Sequence, residues 1–252
     1  MSQISHQSQA PTQTELHAGG EVIDRHRHDE HQLIHVSAGV LAVQTEQGYW
    51  VASPDRALWI PAGTWHEHRV YGRSSVHTVG FPVSAAPLPS GSPTVVAAGG
   101  LLRELIVACT EADLDAAEAQ RIRAVILDRL PQAGVRPLAL PVAGDPRLAE
   151  ACDLVTGDLR QPRALTWLAH AVGASPRTLA RLFRTEFGMT YPQWRTNARV
   201  FKAMIHLAED ATVTETAHHC GWATPSAFID TFARTMGQTP GAYQAAVTQD
   251  EP

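Results

Sequence analysis

Apolar and polar residues alternate along the first third of the chain. From His17 to Phe81 the runs QLIHVSAGVLAVQTEQGYWV and RALWIPAGTWHEHRVY keep a period of two, with turn residues at Gly39, Gly48, Pro54 and Gly63. Short β-branched and aromatic runs broken this way predict a small antiparallel barrel. PVSAAPLPSGSP (Pro82 to Pro93) is a linker by composition. Beyond it the period changes to that of a helix: Leu101, Leu102, Leu105 and Ile106 form one stripe, and Ile122, Val125, Ile126 and Leu130 another. These two helices are expected to serve dimerisation or to pack as a collar on the barrel.

The last hundred residues carry an internal repeat. LAHAVGASPRTLARLFRTEFGMT (Leu168 to Thr190) and TAHHCGWATPSAFIDTFARTMGQT (Thr216 to Thr239) share one outline. Ala169/Ala217 and Gly173/Gly221 repeat at an offset of 48, whereas Phe183/Phe232, Gly188/Gly237 and Thr190/Thr239 repeat at 49. A one-residue insertion in the turn accounts for the slip. Each unit therefore reads as helix, tight turn, helix, the arrangement that presents its second helix to the DNA major groove. Ser175 and Thr224 stand where N-caps of the second helices belong. Leu179, Leu182, Phe183, Phe228 and Phe232 have the spacing of core. The segment joining the units, PQWRTNARVFKAMIHLAED, reads as a helical rod of about 26 Å, long enough to hold two recognition helices near the roughly 34 Å repeat of the groove.

Net charge is −5, which argues against a DNA binder until it is divided along the chain. Residues 1–140 carry ten Arg against fourteen acids, while residues 141–249 carry nine Arg and Lys202 against nine acids. Asp250 and Glu251 form an acidic tail. DNA affinity must then come from the placement of individual arginines. Cys109, Cys152 and Cys220 are odd in number and far apart, as reduced core thiols of a cytoplasmic protein would be. No apolar run is long enough to span a bilayer. The start, MSQISHQSQAPTQTEL, lacks the pattern of a signal peptide and reads as a disordered polar tail.

Three stretches, ASPRTLARLFRTEFGMT, Arg199 in the joining helix, and GWATPSAFIDTFARTMGQTPGAY, resemble the DNA-binding domain of the AraC/XylS family of transcription regulators over residues of about 145 to 245. The resemblance implies base contacts at Arg177, Ala180 and Arg181 in the first unit. In the second it implies contacts around Pro225, Ser226, Ala227 and Ile229. Arg suits bidentate contact with guanine, which favours Arg177 and Arg181 for direct readout. Where many members carry a basic residue, this chain has Asp230, a carboxylate that phosphates repel or that accepts from cytosine amino groups. An operator duplex, RNA polymerase and a second copy of the chain are the partners such a regulator implies.

The barrel region holds a second constellation. His26, His28 and Gln32 sit at even spacing, and His66 and His68 repeat that spacing after the PAG turn. G-x5-H-x-H-x3-Q-x6-G (Gly20 to Gly39) and P-x-G-x2-H (Pro61 to His66) resemble the two motifs of the cupin barrel, in which three histidines and a Glu hold a divalent metal. That resemblance implies metal ligands His26, His28, Gln32 and His66. Gln32 stands where cupins have Glu, and Asp55 where the second motif opens with Gly, so the site would be neutral unless Glu30 supplies a carboxylate. Imidazole suits Zn, Ni and Fe, with Co and Mn as further candidates. Glu30 and His68 are expected to act behind the ligands or on an effector, and His31, His35 and His77 to be outward or structural. The alternative is a metal-free barrel whose histidines bind an organic effector. RALWIPAG and HQLIHVSAGVL resemble a subgroup of cupin-bearing AraC-type regulators, some associated with neighbouring efflux transporters.

These readings give a two-domain α+β protein: a tail at residues 1–16, a cupin-like sensor barrel and linker at 17–93, a helical connection at 94–140, and an all-α domain with two helix-turn-helix units at 141–252. The function expected is a regulator that senses a metal or small molecule. A cupin enzyme of oxygenase type shares the histidines but gives no reason for paired helix-turn-helix units, and a purely architectural DNA binder needs no barrel.

Overall fold

The computed structural model describes residues 4–88, 91–111, 113–134 and 138–248. Met1 to Gln3 of the expected tail and the acidic pair Asp250 and Glu251 lie outside the described residues. The chain divides into two units: residues 1–138, with which 245–252 group, and residues 139–244.

The first unit is a barrel of eight strands: β1 (Ser5–Gln7), β2 (Gln13–His17), β3 (Val22–His28), β4 (His31–Gln44), β5 (Gly48–Ala52), β6 (Arg56–Ile60), β7 (His66–Phe81) and β8 (Thr94–Ala97). The long strands β4 and β7 pair antiparallel along their whole length, from His31 opposite Phe81 to Gln44 opposite Glu67. Each then serves two neighbours. β4 pairs with β6 through its first half and β5 through its second, and β7 pairs with β3 and then β2. The switch requires a bend, and the ladder slips on both sides of Ala38. Gly39 sits there with φ +76°, and a Cβ at this position would collide with Ser74 Oγ and the Arg73 carbonyl of β7. Only glycine permits both that conformation and that approach.

The expected barrel is present, with three corrections. The segment read as a disordered tail contains β1 and β2. β1 runs parallel to β3, so the barrel is not wholly antiparallel. The linker does not end the barrel: β8 follows it and pairs with β6. The two helices, α1 (Gly100–Cys109) and α2 (Ala116–Arg129), also belong to this unit. Leu102, Ile106, Cys109, Ile126 and Leu130 pack with Leu33, Trp59, Val79 and Phe81 of the barrel wall. They pack as a collar on the barrel, while Leu101 and Val125 of the same two stripes stay exposed.

The second unit contains α3 (Pro146–Gly157), α4 (Leu165–Ala171), α5 (Pro176–Phe187), α6 (Tyr191–Ala208), α7 (Val213–His219), α8 (Pro225–Met236) and the start of α9 (Pro240–Thr248). α4 and α5 are separated by four residues, α7 and α8 by five, which is the insertion the repeat predicts. Ser175 and Thr224 accept from the backbone N–H of Thr178 and Ala227, so both second helices are capped as expected. Gly188 and Gly237 end these helices in the left-handed conformation. Capping boxes at Thr190/Gln193 and Thr212/Glu215 start α6 and α7. Leu179, Leu182 and Phe183 join the core of the first helix-turn-helix with Trp194 of α6. Phe228 and Phe232 form an aromatic row with Trp222 and Tyr243. Arg199 holds the second turn: its Nε donates to the Cys220 carbonyl at 2.6 Å and its guanidinium lies 3.8 Å from the Trp222 ring.

Gly39→Ala is expected to destabilise the barrel by about 1–3 kcal/mol from overpacking alone, with left-handed strain added. Gly20→Ala, at φ +91° with open space around it, should show the strain alone. Chemical denaturation of both variants checks this, and equal losses would mean that the close approach at Gly39 relaxes freely.

Candidate DNA-binding and sensor sites

On α5, Arg177 and Arg181 are exposed and Ala180 is half-buried. The N-cap at Ser175 and the buried Leu179, Leu182 and Phe183 orient this helix, leaving the arginines on its outer face. Arg184, which sequence reading passed over, is exposed one turn further along. Its signal was the spacing of three from Arg181 and seven from Arg177, which is one helix face. None of the three has an ion-pair partner among the described residues. On α8, Ser226, Ala227, Ile229 and Asp230 are exposed and Pro225 is half-buried. Asp230 faces outward, and Arg234, unremarked in the sequence, is exposed four residues on. The two second helices thus share a fold and differ in surface charge.

In the barrel, His26 of β3 lies directly across from His66 of β7, with ring centroids 4.3 Å apart. His28 and His68 complete a group of four: His26 to His28 is 5.0 Å, His28 to His66 5.3 Å and His66 to His68 5.1 Å. All four are buried. Ring nitrogens of His26, His66 and His68 lie within 4.8 Å of one another.

Backbone carbonyls set the tautomers. Nδ1–H of His26 donates to Asp24 O at 2.7 Å, that of His66 to Thr64 O at 3.0 Å, and that of His28 to Gln9 O at 3.1 Å. A neutral ring that donates from Nδ1 presents a lone pair at Nε2. Nε2 of His28 and His66, and both ring nitrogens of His68, are buried without a hydrogen-bond partner among the described residues. Carbonyl-braced imidazoles with open nitrogens are the arrangement that metal-ligating histidines adopt. Burial, reinforced by repulsion from His26, holds His66 down at about 3. Burial likewise pushes His28 and His68 below the ordinary imidazole range. These rings stay neutral, the form that binds metal.

The structure groups the expected residues differently from their spacing in sequence. His68, assigned to a supporting place, stands in the tightest trio. Its signal was already present in the i, i+2 spacing from His66. Gln32 does not continue the strand of His26 and His28, because a bend at residues 29 and 30 intervenes; it lies on β4, opposite Gly80. It is buried, and its Oε1 has no hydrogen-bond partner among the described residues. Glu30 sits in that bend, so it does not share the strand face, and its carboxylate accepts from Ala10 N at 3.1 Å. Of the other histidines, His31 caps the neighbouring turn by accepting from Ala62 N. His35 and His77 are structural, as expected, but buried instead of outward. His77 Nδ1 lies 2.9 Å from Thr14 Oγ1 and 3.0 Å from Thr110 Oγ1, and its Nε2 2.9 Å from Ser37 Oγ. His35 is held at about 4 by burial. The cysteines are unpaired, with Cys109 and Cys220 buried.

Comparison with known proteins assigns both regions to known domains. Residues 12–124 match the AraC-like ligand binding domain, and residues 168–246 match a helix-turn-helix domain. The HTH-type transcriptional regulator NimR of Escherichia coli K12 is 31% identical over 242 residues, 94% of this chain and 88% of its own length. The chain belongs to the AraC family of transcriptional regulators. As a member it is a DNA-binding regulator with a ligand-binding domain. The regulator GlxA of Rhizobium meliloti is 30% identical over 100 residues, 39% of this chain and 31% of that protein. Among solved structures, the DNA-binding domain of the global transcriptional factor AdpA in complex with a target DNA is 34% identical. It covers 40% of this AraC-family chain and 93% of its own, with a TM-score of 0.38. Among the described residues no helix is long and apolar enough to cross a membrane.

The buried histidines make barrel stability depend on pH. His66 is near 3 in the folded chain against an ordinary 6.5, so the unfolded chain takes up the proton first. The stability this neutral ring confers is complete above pH 6.5 and is lost as pH falls toward 3. The melting temperature of chelator-treated protein is expected to fall as pH is lowered from about 6.5 to 4, less steeply in His66→Gln. An identical pH profile in the variant would rule out this ring as a source.

Proposed function

We propose that this regulator binds an operator through the outer faces of α5 and α8, and that its barrel senses a divalent transition metal held by His26, His66 and His68 with His28 beside them. The observation that carries the sensor reading is the group of four buried imidazoles, three of which, His28, His66 and His68, have ring nitrogens without a partner among the described residues. A nitrogen-only donor set favours Zn, Ni or Fe over harder cations. When bound, the metal would supply a Lewis-acidic centre with positions open to water or an effector. The chain's own part is to present braced neutral rings and to exclude bulk water.

Gln32 favours a second reading, in which the same cavity takes a small organic effector. With Gln in place of Glu, and Glu30 engaged by Ala10 N, no carboxylate in the set balances a divalent charge. A cytoplasmic homodimer is the form in which a regulator of this kind is proposed to act.

Calorimetry on chelator-stripped protein with Zn, Ni, Co, Mn and Fe(II) separates the readings. Wild type should take up one ion per chain, and His66→Ala none, with DNA binding by the apo protein unchanged. If no ion binds wild type more tightly than the variant, the metal reading fails and the organic-effector reading stands. For the DNA face, Arg181→Ala should weaken operator binding by about 1–3 kcal/mol and relax preference at one base position. An equal loss on operator and random duplex would make Arg181 a phosphate contact instead.

A further inference from the structure

In the second unit, a cleft of about 320 Å³ opens between the loop preceding α4 and the first turns of α6. Arg163 and Arg195 lie in its walls, with Tyr191 between them. Two contacts fix the loop. Tyr191 Oη donates to the Arg163 carbonyl at 2.7 Å, and Arg195 Nη2 donates to the carbonyls of Leu159 and Gln161 at 2.9 and 3.0 Å. The Arg163 guanidinium lies 4.7 Å from the ring of Trp167, which is 48% exposed on α4.

Both arginines lack an anionic counter-charge among the described residues. Arg160, in the same loop, pairs with Asp158 at 3.1 Å, whereas neither Arg163 nor Arg195 has a carboxylate partner among the described residues. The Nε–H of each is buried and finds no acceptor there. A donor removed from water without an acceptor is unfavourable, and two guanidiniums braced at one cleft repel each other. An oxyanion in the cleft would resolve both. Its source follows from the fold. α4 is the first helix of the first helix-turn-helix unit, and the first helix of such a unit crosses the nucleic-acid backbone.

We propose that the Arg163/Arg195 cleft clamps a DNA backbone phosphate beside the first recognition helix, fixing how α5 sits in the groove. This rests on the reading of α5 as a DNA-binding helix. The clamp is a positioning contact blind to sequence, so it adds affinity and register without adding base preference.

The test uses the full-length chain and two labelled duplexes: one selected by that chain from a random pool, and one of equal length and scrambled sequence. Affinities are measured by fluorescence anisotropy across a salt series. Arg163 is the residue to vary, because Arg195 also holds the loop. Arg163→Gln should weaken binding to both duplexes by the same factor and lower the slope of log affinity against log salt by about 0.9, the contribution of one phosphate. Arg163→Lys keeps the charge and should restore most of the slope, which a merely structural role for the guanidinium would not. Three results would overturn the proposal: an unchanged slope in Arg163→Gln, a loss confined to the selected duplex, or intact DNA binding with reduced transcription from a template carrying the selected site. The last would place RNA polymerase at the cleft. If the unaltered chain selects no sequence, the reading of α5 fails as well. Selection with an unchanged slope sinks the clamp alone.

Discussion

At position 39 the backbone of β7 occupies the space a side chain would need. Because Gly39 can take φ +76° there, β4 bends while keeping its ladder with β7, and each long strand serves two neighbours. The barrel wall follows, and with it the grouping of the histidines. β7 can present His66 to His26 of β3 only because its first half has left β2 for β3. His26 and His66 are forty positions apart in sequence, and the pairing of β3 with β7 brings them to ring-to-ring distance.

Burial also sets the chemistry. Four imidazoles placed in water would each be half protonated near neutral pH, and mutual repulsion would disperse them. Burial penalises the charged form of His28, His66 and His68, and the carbonyls of Asp24, Thr64 and Gln9 select the tautomers of His26, His66 and His28. The result is a set of ring nitrogens, Nε2 of His28 and His66 and those of His68, with no hydrogen-bond partner among the described residues. Buried polar atoms left without a partner are unfavourable, and on the proposed reading the occupant supplies the missing interaction. β1 takes part in this, since Gln9, just beyond it, braces His28 and Ser5 to Gln7 pair with His26 to His28.

Features whose cause is local were legible in the sequence. Caps at Ser175 and Thr224, the glycine stops, the core phenylalanines and the inserted residue in the second turn all depend on neighbours within a few positions. Features whose cause is distant were not. MSQISHQSQAPTQTEL is polar because β1 and β2 lie on the barrel's exposed side, so its strands show no alternation, and their partners are β3 and β7. TVVA is too short to announce β8. The even spacing of His28 and Gln32 suggested one continuous strand, yet the Asp29-Glu30 bend separates them and directs Glu30 to Ala10. Spacing alone could not rank His68 above His28, since both follow another histidine by two; the ranking comes from the pairing of β3 with β7.

The two helix-turn-helix units show how one fold can hold unequal partners. α6, 18 residues and so about 27 Å long, is capped at its start by a reciprocal box and tied to the second turn by Arg199. Gly221 packs so closely on the Leu159 carbonyl that any side chain there would collide. The mutual placement of α5 and α8 is therefore fixed by packing and does not draw on DNA contacts. What differs is charge. α5 carries Arg177, Arg181 and Arg184 along one exposed face, whereas α8 sets Asp230 against Arg234. Phosphate attraction scales with the cations presented, so on the proposed reading α5 supplies the affinity. α8, held in register by the rigid joint, is left to discriminate: a carboxylate that phosphates repel is favourable only where a cytosine amino group meets it.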